Sequence, residues 1–148
     1  MMKLENVTDY FKTQPLMYLA TLDKDKPRVR PMSLIYHKDQ CWCCTIEGRP
    51  KIEQIKNNSN MEFALNAQDR DDLGTIRGLG KAIIVDDLDI KKEISEVIPW
   101  FEGYWESYDD PKFILIKLDL EIIEAHVPVV REFFTFNLIE GTVSSVKK

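Results

Sequence analysis

Residues 16–22, 28–37 and 41–46 read as three extended runs separated by two short polar turns, a spacing that predicts an antiparallel meander early in the chain. The first run, Leu16-Met17-Tyr18-Leu19-Ala20-Thr21-Leu22, is almost wholly apolar. Asp23-Lys24-Asp25-Lys26-Pro27 turns the chain, and Lys38-Asp39-Gln40 turns it again before Cys41-Trp42-Cys43-Cys44-Thr45-Ile46. Further extended runs follow at 61–65, 75–85, 113–123 and 132–138. Gly78 and Gly80 share one face of the 75–85 run, which fits a sharply coiled strand or a close backbone approach. Only short helices fit between these runs. Residues 7–13 form one, stopped by Pro15; residues 50–57 form another, with Pro50 in its first turn and Ile52 and Ile55 three apart; residues 90–97 form a third. The expected fold is therefore mainly β, a six- to seven-stranded antiparallel barrel, closed or split, because closure hides strand edges.

A chain of 148 residues suits one domain spanning 1–148, with residues 141–148 expected to fray. Hydrophobic residues at 44% and charged residues at 30% exclude a disordered chain. A net charge of −5 argues against non-specific binding to nucleic acid or to an anionic membrane. No apolar run approaches the ~20 residues of a membrane span, and the opening Met1-Met2-Lys3-Leu4-Glu5-Asn6 lacks the apolar core of a signal peptide. The three cysteines, Cys41, Cys43 and Cys44, are odd in number and crowded together, a poor disulfide framework. They are expected to be buried, reduced thiols, with Cys44 on the opposite strand face from the other two, and the chain is expected in the cytoplasm. His37 and His126 have no nucleophile or ligand partners at useful spacing, so neither a catalytic residue nor a metal site is assigned. The acidic clusters Asp69-Asp71-Asp72 and Asp86-Asp87-Asp89 lie beside turns and are expected to face solvent.

The chemistry concentrates in two stretches, Arg28-Val29-Arg30-Pro31-Met32 and Cys44-Thr45 through Gly48-Arg49-Pro50-Lys51. In an extended strand Arg28, Arg30 and Met32 share a face, and the following hairpin is expected to bring Thr45 beside them. The helix that starts near Pro50 has unpaired amides and a favourable dipole at its N-terminus, to which Lys51 adds a full charge. Arg30 and Lys51 together form a candidate phosphate site, with Arg28 left open between that role and a solvated strand position. Pro31 and Met32 offer apolar and main-chain surface to a flat ring, so a phosphate carried by a flat heterocycle suits the whole.

These residues resemble the pyridoxamine-5′-phosphate-oxidase-like family of FMN-binding split barrels. The likeness runs over residues 16–126 and is densest at Pro27-Arg28-Val29-Arg30-Pro31-Met32 and at Thr45-Ile46-Glu47-Gly48-Arg49-Pro50-Lys51-Ile52-Glu53-Gln54. The resemblance implies that Arg30 and Lys51 hold the FMN phosphate, that Pro31, Met32 and Ser33 line the flavin ring, and that Thr45, Arg49 and Gln54 touch the ribityl phosphate. It also implies a homodimer with flavin at the subunit interface. Two departures stand out. Pro50 replaces a frequent arginine, and in place of an Arg-rich C-terminal segment the chain offers Arg131 followed by Glu132-Phe133-Phe134, so pyridoxamine-phosphate oxidation itself is not expected.

The function these features imply is an FMN-dependent oxidoreductase that passes electrons or hydride between a nicotinamide donor, NAD(P)H, and a small molecule. The alternative of another class is a non-catalytic carrier or sensor that binds flavin, haem or a deazaflavin. Trp100, Tyr104 and Trp105 fit either packing or the wall of a substrate pocket.

Overall fold

The computed structural model describes residues 2–67 and 73–148; the acidic cluster at Asp69, Asp71 and Asp72 lies outside them. In chain order the strands are β1 (Leu16–Asp23), β2 (Lys26–Ser33), β3 (Ile35–His37), β4 (Gln40–Ile46), β5 (Asn60–Asn66), β6 (Thr75–Val85), β7 (Phe113–Val127), β8 (Glu132–Asn137) and β9 (Thr142–Lys147). The helices are α1 (Leu4–Phe11), α2 (Pro50–Asn57) and α3 (Leu88–Ser95). All neighbouring strands are antiparallel, along the path β2-β1-β5-β6-β7-β4-β3, with β8 and β9 added beside β7.

Covalent connection forces this path to curl. Its end strands, β2 and β3, are separated in sequence by Leu34 alone, which is fully buried and donates its N–H to the Pro15 carbonyl at 2.9 Å. The two edges of the path must therefore approach each other, and the sheet becomes the expected split barrel. β7, fifteen residues long, makes the split: Phe113 to Leu118 face β4, whereas Ile122 to Val127 face β8.

The early meander is corrected by the same geometry. The 28–37 run breaks at Leu34, its first part pairing with β1 and its last with β4. The second neighbour of β4 is β7, not β2, with Thr45 opposite Ile114. This break accounts for one strand beyond the expected six to seven. The other is β9, in the tail expected to fray, which pairs with β8 from Asn137↔Thr142 to Glu132↔Lys147. Its side chains bury little, so the sequence carried no core signal; main-chain bonds to an open strand edge order it instead.

Phe11 of α1, Met17, Leu19, Phe63, Ile76, Ile116 and Leu118 fill the barrel. Gly78 makes room for one of them: a Cβ there would stand 2.5 Å from the Phe63 ring. At Gly80, beside an irregularity in the β6–β7 ladder, a Cβ would lie 2.0 Å from the Asp119 carbonyl oxygen. A second apolar cluster packs α3 and the following turn on the outside of β4 and β7, where Phe101 and Trp105 surround Phe113 at ring separations of 5.0 and 4.8 Å. Trp105 is thus core, while Tyr104 is exposed with its ring edge-on to Trp100 at 5.7 Å.

All three cysteines are free and buried. Cys41 and Cys43 belong to the barrel core and Cys44 to the outer cluster, as strand alternation requires. Burial pushes the Cys41 and Cys43 thiols up to about 12, which keeps them protonated and unreactive. Among the described residues, no helix is long and apolar enough to cross a membrane.

Candidate anion site and family relationships

β2 and the start of α2 build the site. Arg30 stands opposite Leu19 in the β1–β2 ladder, on the inward face of its strand. Its Nη1 donates to the Leu19 carbonyl at 3.1 Å and to Thr21 Oγ1 at 2.8 Å, while Nη2 donates to Gln54 Oε1 at 3.0 Å. The Thr21 hydroxyl in turn donates to Gln54 Oε1 at 2.7 Å.

From β4 the chain enters α2 through Glu47-Gly48-Arg49. Gly48 has a φ of +89°, the left-handed region that glycine tolerates, and Arg49 occupies the cap position without a side-chain cap bond. Pro50 opens the helix, as its fixed φ favours. Lys51, the second residue of α2, reaches back to the end of β4, where its Nζ donates to Thr45 Oγ1 at 3.0 Å.

Arg30 and Lys51 are both half-buried, and both are pushed below their ordinary values. Loss of water is the main cause for each; for Lys51 the positive charges of Arg30 and Arg49 act in the same direction. The ion pairs among the described residues engage Lys12, Arg28, His37, Lys38, Lys56 and Arg77, and none of the three cations at this site. Three positive groups thus gather at a helix N-terminus with no ion-pair partner of their own among the described residues, the nearby Asp23 carboxylate being paired with Arg28. Arg30 and Lys51 border a cleft of about 440 Å³, lined also by Asp23, Arg28, Val29, Pro50 and Gln54. The arrangement suits an oxyanion, because bringing one in removes the mutual repulsion that burial makes costly.

Arg30, Thr45, Lys51 and Gln54 therefore come together, with Arg49 at their edge. Thr45 arrives by the curl of the barrel rather than by pairing with β2. Arg28 is exposed and lies 3.8 Å from Asp23. Pro31 and Met32 point to opposite faces: Met32 packs on the barrel core, whereas Pro31 is exposed beside Tyr18. Ser33 ends β2 opposite Leu16. Thr21, only 2% exposed, was absent from the sequence-derived set. Its signal was available as the one polar side chain on the inward face Met17-Leu19-Thr21 of an otherwise apolar strand.

The family model for pyridoxamine 5′-phosphate oxidase matches residues 4–127, which include every member of this cluster. The chain belongs to that family. General stress protein 26 of Bacillus subtilis is 30% identical over 125 residues, a match spanning 82% of this chain and 84% of that protein. A Clostridium acetobutylicum protein related to general stress protein 26 shares the fold with a TM-score of 0.76 at 16% identity, over 94% of this chain and 96% of its own. A pyridoxamine 5′-phosphate oxidase-related, FMN-binding protein from Nostoc punctiforme has a TM-score of 0.74 at 14% identity, over 99% and 96% of the two chains. At such low identity these two structures speak for the split barrel alone, and the family membership rests on the sequence match.

Proposed function

We propose that this member of the pyridoxamine 5′-phosphate oxidase family binds FMN and works as a homodimeric, cytoplasmic oxidoreductase, passing electrons from a nicotinamide donor to a small-molecule acceptor. The observation that carries the reading is the pair of half-buried cations, Arg30 and Lys51, gathered at the start of α2 without an acidic partner among the described residues. A phosphate monoester suits them, and membership of the pyridoxamine 5′-phosphate oxidase family supports a flavin as its carrier.

Arg30, Lys51 and Arg49 supply charge to the phosphate, and the first turn of α2 adds the Lys51 N–H, since Pro50 has none and the Arg49 and Ile52 amides already donate to the Ile46 and Arg49 carbonyls at 3.4 and 3.1 Å. Thr45 holds the Lys51 ammonium. What Pro31, Met32 and Ser33 offer in common is main chain, since their side chains alternate in face. β2 is an end strand of the sheet path, so one of its main-chain edges is available to the polar rim of a flat ring. When bound, the flavin supplies the hydride and electron transfer chemistry itself. The free, buried thiols support a reducing compartment.

The absorbance spectrum of the freshly purified protein, followed by FMN titration read by flavin fluorescence, tests the cofactor. Two flavin bands or saturable binding near one FMN per chain is the expected result, and a colourless protein indifferent to FMN would sink the reading. Anaerobic mixing with NADH or NADPH then separates the two classes. Bleaching of the flavin band marks a reductase, and an unchanged spectrum marks a carrier or sensor.

A further inference from the structure

We propose that Thr21 and Gln54 are positioning residues that turn the Arg30 guanidinium so that one edge of it is reserved for two phosphate oxygens. This inference rests on the flavin-phosphate reading above and adds the device that makes the site selective for the phosphorylated cofactor.

A guanidinium has five N–H groups in one plane. Both of those on Nη1 are engaged, one by the Leu19 carbonyl and one by Thr21 Oγ1, and one of those on Nη2 is engaged by Gln54 Oε1. Thr21 Oγ1 and Gln54 Oε1 are themselves joined at 2.7 Å, so together they span the end of the guanidinium between Nη1 and Nη2. The remaining donors are the Nε–H and the second Nη2–H. These two lie side by side along the other edge of the plane, the parallel pair that matches two oxygens of a carboxylate or phosphate.

The hydroxyl is suited to this task because it works in both directions at once. It accepts from Arg30 and donates to Gln54, whose single Oε1 receives both neighbours. Thr21 is buried and the guanidinium half-buried, so the geometry is held where water competes poorly. Gln54 lies one helical turn beyond Lys51 on α2, which ties the Arg30 edge to the lysine that shares the anion. Under this arrangement Gln54 acts through Arg30.

The test compares FMN with riboflavin, which carries the same ring without the phosphate. Thr21→Val keeps the shape and removes the acceptor, while Thr21→Ser keeps the hydroxyl. Thr21→Val should weaken FMN binding about tenfold and change riboflavin binding by less than about twofold, with Thr21→Ser close to the wild type. Unchanged FMN affinity in Thr21→Val, or equal losses for FMN and riboflavin, would overturn the proposal, since a structural role alone moves both ligands. If the wild type binds neither flavin, the flavin reading fails and inorganic phosphate becomes the probe. A phosphate-induced rise in the wild-type Tm that shrinks in Thr21→Val then supports the positioning role, and an equal rise or none overturns it. Should Thr21→Val not fold, Gln54→Met is judged by the same readouts.

Discussion

Lys51 carries the conflict between stability and binding that a preformed anion site entails. Its proton affinity in the folded chain is below the ordinary value of 10.5, mainly through burial and secondarily through Arg30 and Arg49. The unfolded chain therefore holds that proton more firmly, and the ligand-free protein gains stability as pH rises through the lowered value towards 10.5. A bound phosphate reverses the sign, because it favours the charged ammonium. The rise in Tm produced by FMN should accordingly shrink over the same alkaline window, which thermal melts with and without FMN would show. Lys51→Met should raise the Tm of the free protein while weakening FMN by about 1.5–3 kcal/mol, the scale of a hydrogen bond to a charged group. A variant that loses Tm and leaves FMN affinity intact would contradict the assignment. Arg30, Lys51 and Arg49 were legible because a charged strand face and a Gly-Arg-Pro-Lys helix start are local patterns. Thr21 shows in the sequence only as a polar residue on an apolar strand face, and its link to Arg30 and Gln54 arises only when β1, β2 and α2 meet.

Elements whose limits are set by neighbouring residues were legible for the same reason. α2 runs over the expected residues because Pro50 starts it, and β6 occupies the expected 75–85 run. α3 begins two residues earlier than the expected 90, at Leu88, because the Asp87 carboxylate accepts from the amides of Asp89 and Ile90 at 2.9 and 3.1 Å. Asp87→Ala should cost about 1 kcal/mol in denaturant melts, the usual loss for a helix cap. The break at Leu34 and the pairing of β4 with β7 lie beyond local signals, because they follow from the closure of the whole sheet. Gly80 shows how tight that closure is. Its added Cβ would meet the Asp119 backbone rather than a side chain that could swing away. Gly80→Ala should therefore destabilise the fold by at least ~1–3 kcal/mol in urea melts, the range for forcing atoms into a packed core. A neutral result would mean that β6 and β7 can part there without loss.

At the scale of the whole molecule, the outer surface of β1 and β2 is left with apolar side chains facing outward. Leu16 is 56% exposed, Tyr18 50% and Val29 67%, and Pro31 lies beside Tyr18 on the same face. The face continues over β5, β6 and β7 to Ala64, Arg77 and His126, which border a hollow of about 410 Å³ with Tyr18. Covering this surface with a second copy would bury it, and β2 would bring the anion site close to the join, which supports the proposed homodimer. Tyr18→Lys combined with Val29→Glu places two charges where the interface would exclude water. Light scattering after size exclusion should find the wild type as a dimer and the double variant as a monomer, the dissociation constant rising by about a hundredfold or more. The wild-type Tm should also climb with protein concentration, and the variant's should not. If monomerisation also weakens FMN, the partner subunit completes the site. If FMN binding persists in a folded monomer, each barrel holds its flavin alone and the dimer serves another purpose.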